Sequence, residues 1–264
     1  MMNVRAIWLM TRGIWMSWMQ GRGFFFLLAF GWMMPPLVSL FIWYTAAGSG
    51  TVGGLTQDEL VTYYLFFIPV NQMTYSQTNW TVGDAIREGN INISLLRPIS
   101  FHWSTVASEL AGKVVFMTFV LPFVLVMALL LHPDLHLRWP SVLLFLPTFL
   151  LTWALRFFWG YWLALLAFWV TRADALLTLQ YSLTFLFAGV VAPIAFLPGP
   201  LQYMARILPF RYMISFPVEI LSNQLSRMDV LIGLCYQCGW LALSLVLFAL
   251  LWHTGVRRYS AIGG

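Results

Sequence analysis

"VASELAGKVVFMTFVLPFVLVMALLL", residues 106–131, carries ionisable groups only near its start, at Glu109 and Lys113. Beyond Lys113 the run is long and apolar enough to cross a hydrocarbon layer ~30 Å thick. The same pattern recurs along the chain, at Phe24 to Ala47, Leu60 to Val82, Val142 to Val170, Ala175 to Leu197 and Val230 to Trp252. The composition agrees: 61% hydrophobic, 17% aromatic and 9% charged, against roughly 25% charged in an ordinary soluble domain. The fold class expected is therefore all-α integral membrane, with six transmembrane helices in a single domain over residues 1–264 and no separate soluble domain.

Two spans depart from uniform apolarity. Pro35 and Pro36 lie inside the first, where each removes a backbone donor and kinks a helix that its neighbours do not compensate. Asn71, Gln72, Thr74, Ser76, Gln77, Thr78 and Asn79 crowd the second half of the second span. A lipid-facing helix with that load is unfavourable, so this half must face protein or water. Asn71, Tyr75 and Asn79 recur every four residues, with Gln72 and Ser76 beside them, which makes a polar stripe on one helix face. Such a stripe either lines a path for a passing molecule or joins helices by hydrogen bonds, and the sequence supports both.

Orientation follows from Lys and Arg in the connections. With both termini inside, the inner side holds Arg5, Arg12, Arg22, Arg87, Arg97, Arg172, Arg257 and Arg258; the outer side holds Arg138, Arg206, Arg211 and Arg227. Eight against four puts both termini in the cytoplasm. Residues 83–105 then form a cytoplasmic loop and residues 198–229 an outer segment. The formal charge of +5 reads as an orientation signal, and no basic soluble face suited to nucleic acid is present. The start of the chain, residues 1–22, places Ile7, Ile14 and Trp18 on one helical side, flanked by Trp8 and Trp15, with Arg5 and Arg12 roughly opposite. This predicts an interfacial helix on the inner leaflet, against the alternative of a disordered start.

The chain offers little catalytic chemistry. A phosphate-cradling loop is built on a lysine, and Lys113 is the one lysine: Gly112 precedes it, but Val114 follows and Ala107 stands where the first glycine belongs. Cys235 and Cys238 form C-x-x-C on a membrane helix and read as two small apolar side chains. "HPDLH", residues 132–136, reads as an outer turn in preference to a metal site. Glu109 and Lys113, four apart, read as a local ion pair near the inner boundary. Arg156 falls near the middle of the fourth span without a local acid, so it faces the interior or snorkels to a surface.

In the loop, Asp84 is placed to cap a turn bearing Arg87 and Glu88 that Gly89 ends. Pro98 and Ser100 suit the start of the third span. Ile91, Ile93, Leu95 and Leu96 are expected to stand exposed beside Arg87 and Arg97, as apolar anchors ringed by charge on a docking surface, or else to pack on their own helix ends.

"IREGNINISLLRPIS" (86–100), "LPFRYMISFPVEI" (208–220) and the tail "GVRRYSAIGG" (255–264) resemble the ABC type-2 exporter permeases, in the branch similar to daunorubicin-resistance membrane subunits. That resemblance implies a permease chain of six helices without its own ATPase site, residing in the inner (plasma) membrane of a bacterium. Two such chains, identical or paralogous, form the path, and separate ABC ATPase subunits bind ATP and Mg; this chain binds no cofactor and is not an enzyme. It further implies an ATPase-coupling role for Arg87, Glu88, Gly89, Leu95, Leu96, Arg97 and Pro98. The outer segment becomes short, partly re-entrant helices forming a lid, and the stripe of Asn71, Gln72, Tyr75, Ser76 and Asn79 a candidate path. The rival readings are a secondary transporter, coupled through intramembrane acids, and an intramembrane enzyme.

Overall fold

The computed structural model describes residues 4–92, 100–133, 135, 137–170 and 174–258. Its helices are α1 (Val4–Gln20), α2 (Arg22–Ala47), α3 (Gln57–Thr74), α4 (Thr78–Arg87) and α5 (Phe101–Leu131). They continue as α6 (Trp139–Leu165), α7 (Asp174–Phe187), α8 (Gly199–Ile207), α9 (Pro209–Met213), α10 (Ser215–Leu221) and α11 (Arg227–Arg258). One small hairpin pairs β1 (Thr51–Val52) with β2 (Leu55–Thr56).

Four of the six expected spans are helices long and apolar enough to cross a membrane: α2, α5, α6 with the 3-10 turn that follows it, and α11. The helix of α2 continues through Pro35 and Pro36. The second span is divided at residues 75–77 into α3 and α4. The fifth is shorter than expected: α7 stops at Phe187, and Gly189 turns the chain with φ +79. That conformation suits a residue without Cβ, and a Cβ there would lie 2.2 Å from the Tyr63 hydroxyl.

The hairpin between α2 and α3 escaped the hydropathy reading, although "TVGGLT" encodes it. Gly53 and Gly54 have φ +57 and +85, the two positive values that a two-residue primed turn requires. Thr56 then caps α3: its hydroxyl accepts from the Glu59 N–H while the Glu59 carboxylate accepts from the Thr56 N–H at 2.8 Å.

α1 forms as expected and packs along α5. Thr11 is buried and donates to the Ala107 carbonyl at 3.4 Å. The Trp18 ring stacks on Phe25 at 4.9 Å and covers Gly112, where a Cβ would come within 3.1 Å of it. Trp8, in contrast, is 63% exposed, as an interfacial tryptophan would be.

The largest core joins the N-terminal half of α3, α6 and the helices α9 and α10, around Tyr63, Phe67, Leu155 and Phe216. Residues 198–229 hold the short helices α8, α9 and α10, with Pro200, Pro209 and Pro217 inside or opening them. Gly233 of α11 lets Phe216 approach, since a Cβ there would lie 2.2 Å from the ring. A second core, at the other end of the bundle, joins α4 and α6 around Val82, Ile86, Phe157 and Tyr161.

Ile91 belongs to that second core and is fully buried. Of the two readings left open for it, exposed anchor or packing on its own helix end, Ile91 takes the second: once α4 runs to Arg87, the chain folds Ile91 back under its own helix. Asp84 likewise sits inside α4, where it pairs with Arg87 at 2.5 Å and does not cap a turn. Gly89 does end the helical run, with φ +78. Ile93, Leu95, Leu96, Arg97 and Pro98 lie outside the described residues, as do Asp134, His136, Arg172 and the tail from residue 259.

Candidate functional site

The division between α3 and α4 organises the site. Tyr75 leaves the helix with φ −54 and ψ 135, although its N–H still reaches the Asn71 carbonyl at 2.9 Å. Polar residues around the break compete with the helix for backbone groups: the Thr74 hydroxyl donates back to the Val70 carbonyl at 2.7 Å. A break in mid-bundle leaves backbone donors and acceptors that lipid cannot satisfy.

Three charged side chains from two other helices supply the partners. Glu109 of α5 accepts the Gln77 N–H at 2.6 Å and the Ser76 hydroxyl at 3.0 Å. Lys113, one turn on, donates to the Tyr75 carbonyl at 2.7 Å and to Glu109 at 3.2 Å. Arg156 of α6 directs Nη1 to the Asn71 carbonyl, the Asn71 side-chain oxygen and the Thr74 hydroxyl, at 3.1, 3.0 and 2.8 Å. The signs follow the helix dipoles, with the carboxylate at the start of α4 and both cations at the end of α3. The ion pair expected for Glu109 and Lys113 is present, and its position beside the break makes it more than a local contact. Arg156 takes the interior alternative.

Beside the break lies a half-enclosed cavity of about 170 Å³. Asn71, Tyr75, Ser76 and Asn79 form one wall; Trp32, Pro35 and Pro36 of α2 form another. Arg156 and Gly160 of α6 and Gln180, Tyr181, Thr184 and Phe185 of α7 complete most of the lining. The Tyr181 hydroxyl accepts from the Asn79 amide at 2.9 Å and from the Trp80 indole at 2.8 Å. The Arg156 guanidinium lies 5.5 Å from the centre of the Tyr75 ring, within cation–π range. Gly160 lets α4 approach α6: a Cβ there would lie 2.8 Å from the Thr78 hydroxyl, which donates to the Phe157 carbonyl at 3.2 Å.

Four of the five stripe residues thus line the cavity, while also making the bonds that hold the break. Gln72 does not line it: the residue is buried and its amide donates to the Ala29 carbonyl of α2 at 3.3 Å, which is the helix-joining role. Arg87, Glu88 and Gly89 close α4 and stand away from the cavity, as they do not line it.

Tyr181, Gln180 and Thr184 were not singled out in the sequence, although "LQYSLT" is a polar interruption in an otherwise apolar span. A second omission is Arg211 and Glu219, which pair at 2.5 Å with both side chains buried. They are eight residues apart but in two separate short helices, α9 and α10, so no continuous helix face marks the pair. Cys235 and Cys238 are exposed free thiols on α11. Among the described residues no group of three metal-ligating side chains converges.

Against known proteins, a family model described as ABC-2 family transporter protein matches residues 30–263. No curated protein sequence matches the chain.

Proposed function

Because this chain belongs to the ABC-2 family of transporter proteins, and so to the membrane components of ABC transport systems, we propose that it is the permease subunit of an ATP-driven exporter. In this reading it resembles the daunorubicin-resistance branch and resides in a bacterial inner membrane. Six crossings are made by α2, the composite of α3 and α4, α5, α6, α7 and α11, with both termini cytoplasmic and α1 on the inner leaflet. Residues 198–229 form the outer lid. Two permease chains, identical or paralogous, enclose the path, and separate ABC ATPases bind ATP and Mg.

The observation that carries this reading is the composite second span. α4 runs from the cavity wall at Asn79 to the start of the loop at Arg87, so a force on that loop is delivered to the break and the cavity. ATPase closure acts by holding the coupling residues Arg87, Glu88, Gly89, Leu95, Leu96, Arg97 and Pro98 more tightly in one conformation than in the other, since only a differential affinity moves the equilibrium. A secondary transporter would instead need a buried carboxylate free to exchange its cation. Among the described residues the two buried carboxylates, Glu109 and Glu219, are each paired.

The test is purification of the chain from its native membrane with the ABC ATPase that the reading requires, measuring retained ATPase and export in inverted vesicles. Leu96→Asp removes an apolar anchor and places a charge in the docking surface, costing on the order of 2 kcal/mol or more of association. Arg97→Glu, at a charged rim, is expected to weaken it less. Full retention and full transport in Leu96→Asp overturn the coupling role.

A further inference from the structure

We propose that the cavity beside the break binds an amphipathic anion, with its headgroup at Arg156 and Tyr181 and its apolar chain against Trp32 and Phe185. This assigns a substrate class and rests on the permease reading. The first observation is the charge balance. Glu109 is committed to Lys113, and among the described residues no carboxylate reaches Arg156 to form an ion pair. The cavity therefore carries one uncompensated positive charge.

The second observation concerns donors. Among the described residues all the bonds of Arg156 leave from Nη1, so its remaining N–H groups have no acceptor there. The Tyr181 hydroxyl already accepts from two nitrogens, which leaves its own proton to be donated; Tyr75 Oη, at 3.5 Å, is a distant acceptor for it. Two donor groups with protons to spare, the cationic Arg156 and the Tyr181 hydroxyl, converge on a single space, and a guanidinium is shaped to receive a carboxylate or phosphate through two parallel bonds.

The third observation is the remainder of the wall. Trp32, Pro35, Pro36, Phe185, Val190 and Ile214 are apolar and come from three separate stretches of chain. Drug-sized ligands fill pockets of about 300–1,000 Å³, and this one offers about 170 Å³. It is large enough for a headgroup and the first part of a chain, whose remainder leaves through the open side. A cation held in a low-dielectric bundle favours such a ligand strongly, because the anion supplies the charge that the protein does not.

The experiment uses the full chain in phosphatidylcholine nanodiscs and radiolabelled dodecyl phosphate, with dodecyltrimethylammonium and dodecyl maltoside as competitors sharing its tail. Dodecyl phosphate is expected to bind at least about tenfold more tightly than either competitor, the worth of one charge-assisted contact. Arg156→Gln removes the preference. Since Arg156 also holds the end of α3, Thr184→Glu provides the second variant: it leaves every Arg156 contact in place, neutralises the cavity, and is expected to weaken dodecyl phosphate about tenfold while improving dodecyltrimethylammonium. Equal binding of the three tails by the unaltered chain, or an unchanged anion preference in Thr184→Glu, overturns the proposal. Nanodiscs containing phosphatidylglycerol identify the source. Displacement of dodecyl phosphate upholds a bilayer lipid headgroup, and undiminished binding upholds a free amphipathic anion. Because no ATPase is present, absent binding alongside intact ATP-driven export rejects this site alone, and intact binding without ATPase association rejects the permease reading alone.

Discussion

Glu109 on α5 accepts the backbone N–H of Gln77, 32 residues earlier in the chain, at 2.6 Å. A carboxylate on one helix thereby satisfies the backbone at the start of another, and its partner Lys113 performs the complementary task on the Tyr75 carbonyl at the end of α3. The pair holds a helix break that would otherwise expose unpaired peptide groups inside the bundle. Removing Glu109 therefore affects two structures at once.

Glu109→Ala is expected to cost about 3–5 kcal/mol, the loss on breaking a buried ion pair from one side. Combining Glu109→Gln with Lys113→Met should cost less than the sum of the two single changes, by about 1–3 kcal/mol. Thermal unfolding of the four proteins in one detergent gives the cycle. Strict additivity would show that the two side chains do not act on the break together.

Gly160→Ala places a methyl where the Thr78 hydroxyl stands, 2.8 Å from the new Cβ. The expected cost is about 1–3 kcal/mol through overpacking between α6 and α4. Thr78→Ala removes the obstructing oxygen, so Gly160→Ala should cost less in that background than in the unaltered chain. An equal penalty in both backgrounds would place the strain elsewhere.

Arg211→Met leaves Glu219 buried without its cation, at a cost of about 3–5 kcal/mol, whereas Arg211→Met with Glu219→Leu should recover most of it. Both side chains sit in the core shared by α3, α6 and the short helices, so the measurement is protease sensitivity of residues 198–229 together with thermal unfolding. A double variant as unstable as Arg211→Met alone would mean that the pair's hydrogen-bond geometry, and not its charge balance, is what the core requires.

In the proposed topology the short helices are outside and the C-terminus inside, so alkaline phosphatase fused within α8 at Gln202 is expected to be active, and fused after the last residue to be inactive. Activity at the C-terminal fusion would reverse the register of every connection.

Much of the architecture was legible without coordinates. Hydropathy is a property of side chains summed along the chain, so the spans around α2, α5, α6 and α11 are visible from composition and length alone. The stripe of Asn71, Tyr75, Ser76 and Asn79 was visible too, because polar residues in an apolar run stand out whatever they touch. Neither Gly189 nor the helix break was legible. Gly189 terminates α7 through a positive φ, and a lone glycine in a membrane span does not announce one.

What the sequence determined by itself is where lipid must be: a chain this apolar, with its charges collected in connections and at a few interior positions, can satisfy its backbone only as a bundle of membrane helices. What only the tertiary structure decided is who satisfies whom. Arg156 reaches Asn71 across 85 positions and Glu109 reaches Ser76 across 33, and no periodicity within a single helix encodes such pairings. The same contacts separate Gln72, which joins α3 to α2, from its neighbour Asn71, which faces the cavity. Packing between α4 and α6 buries Ile91, for which the sequence pattern left exposure and burial both open. Partition between lipid and water depends on each residue alone; hydrogen bonds and packing depend on which helices meet, and that is settled only when the bundle closes.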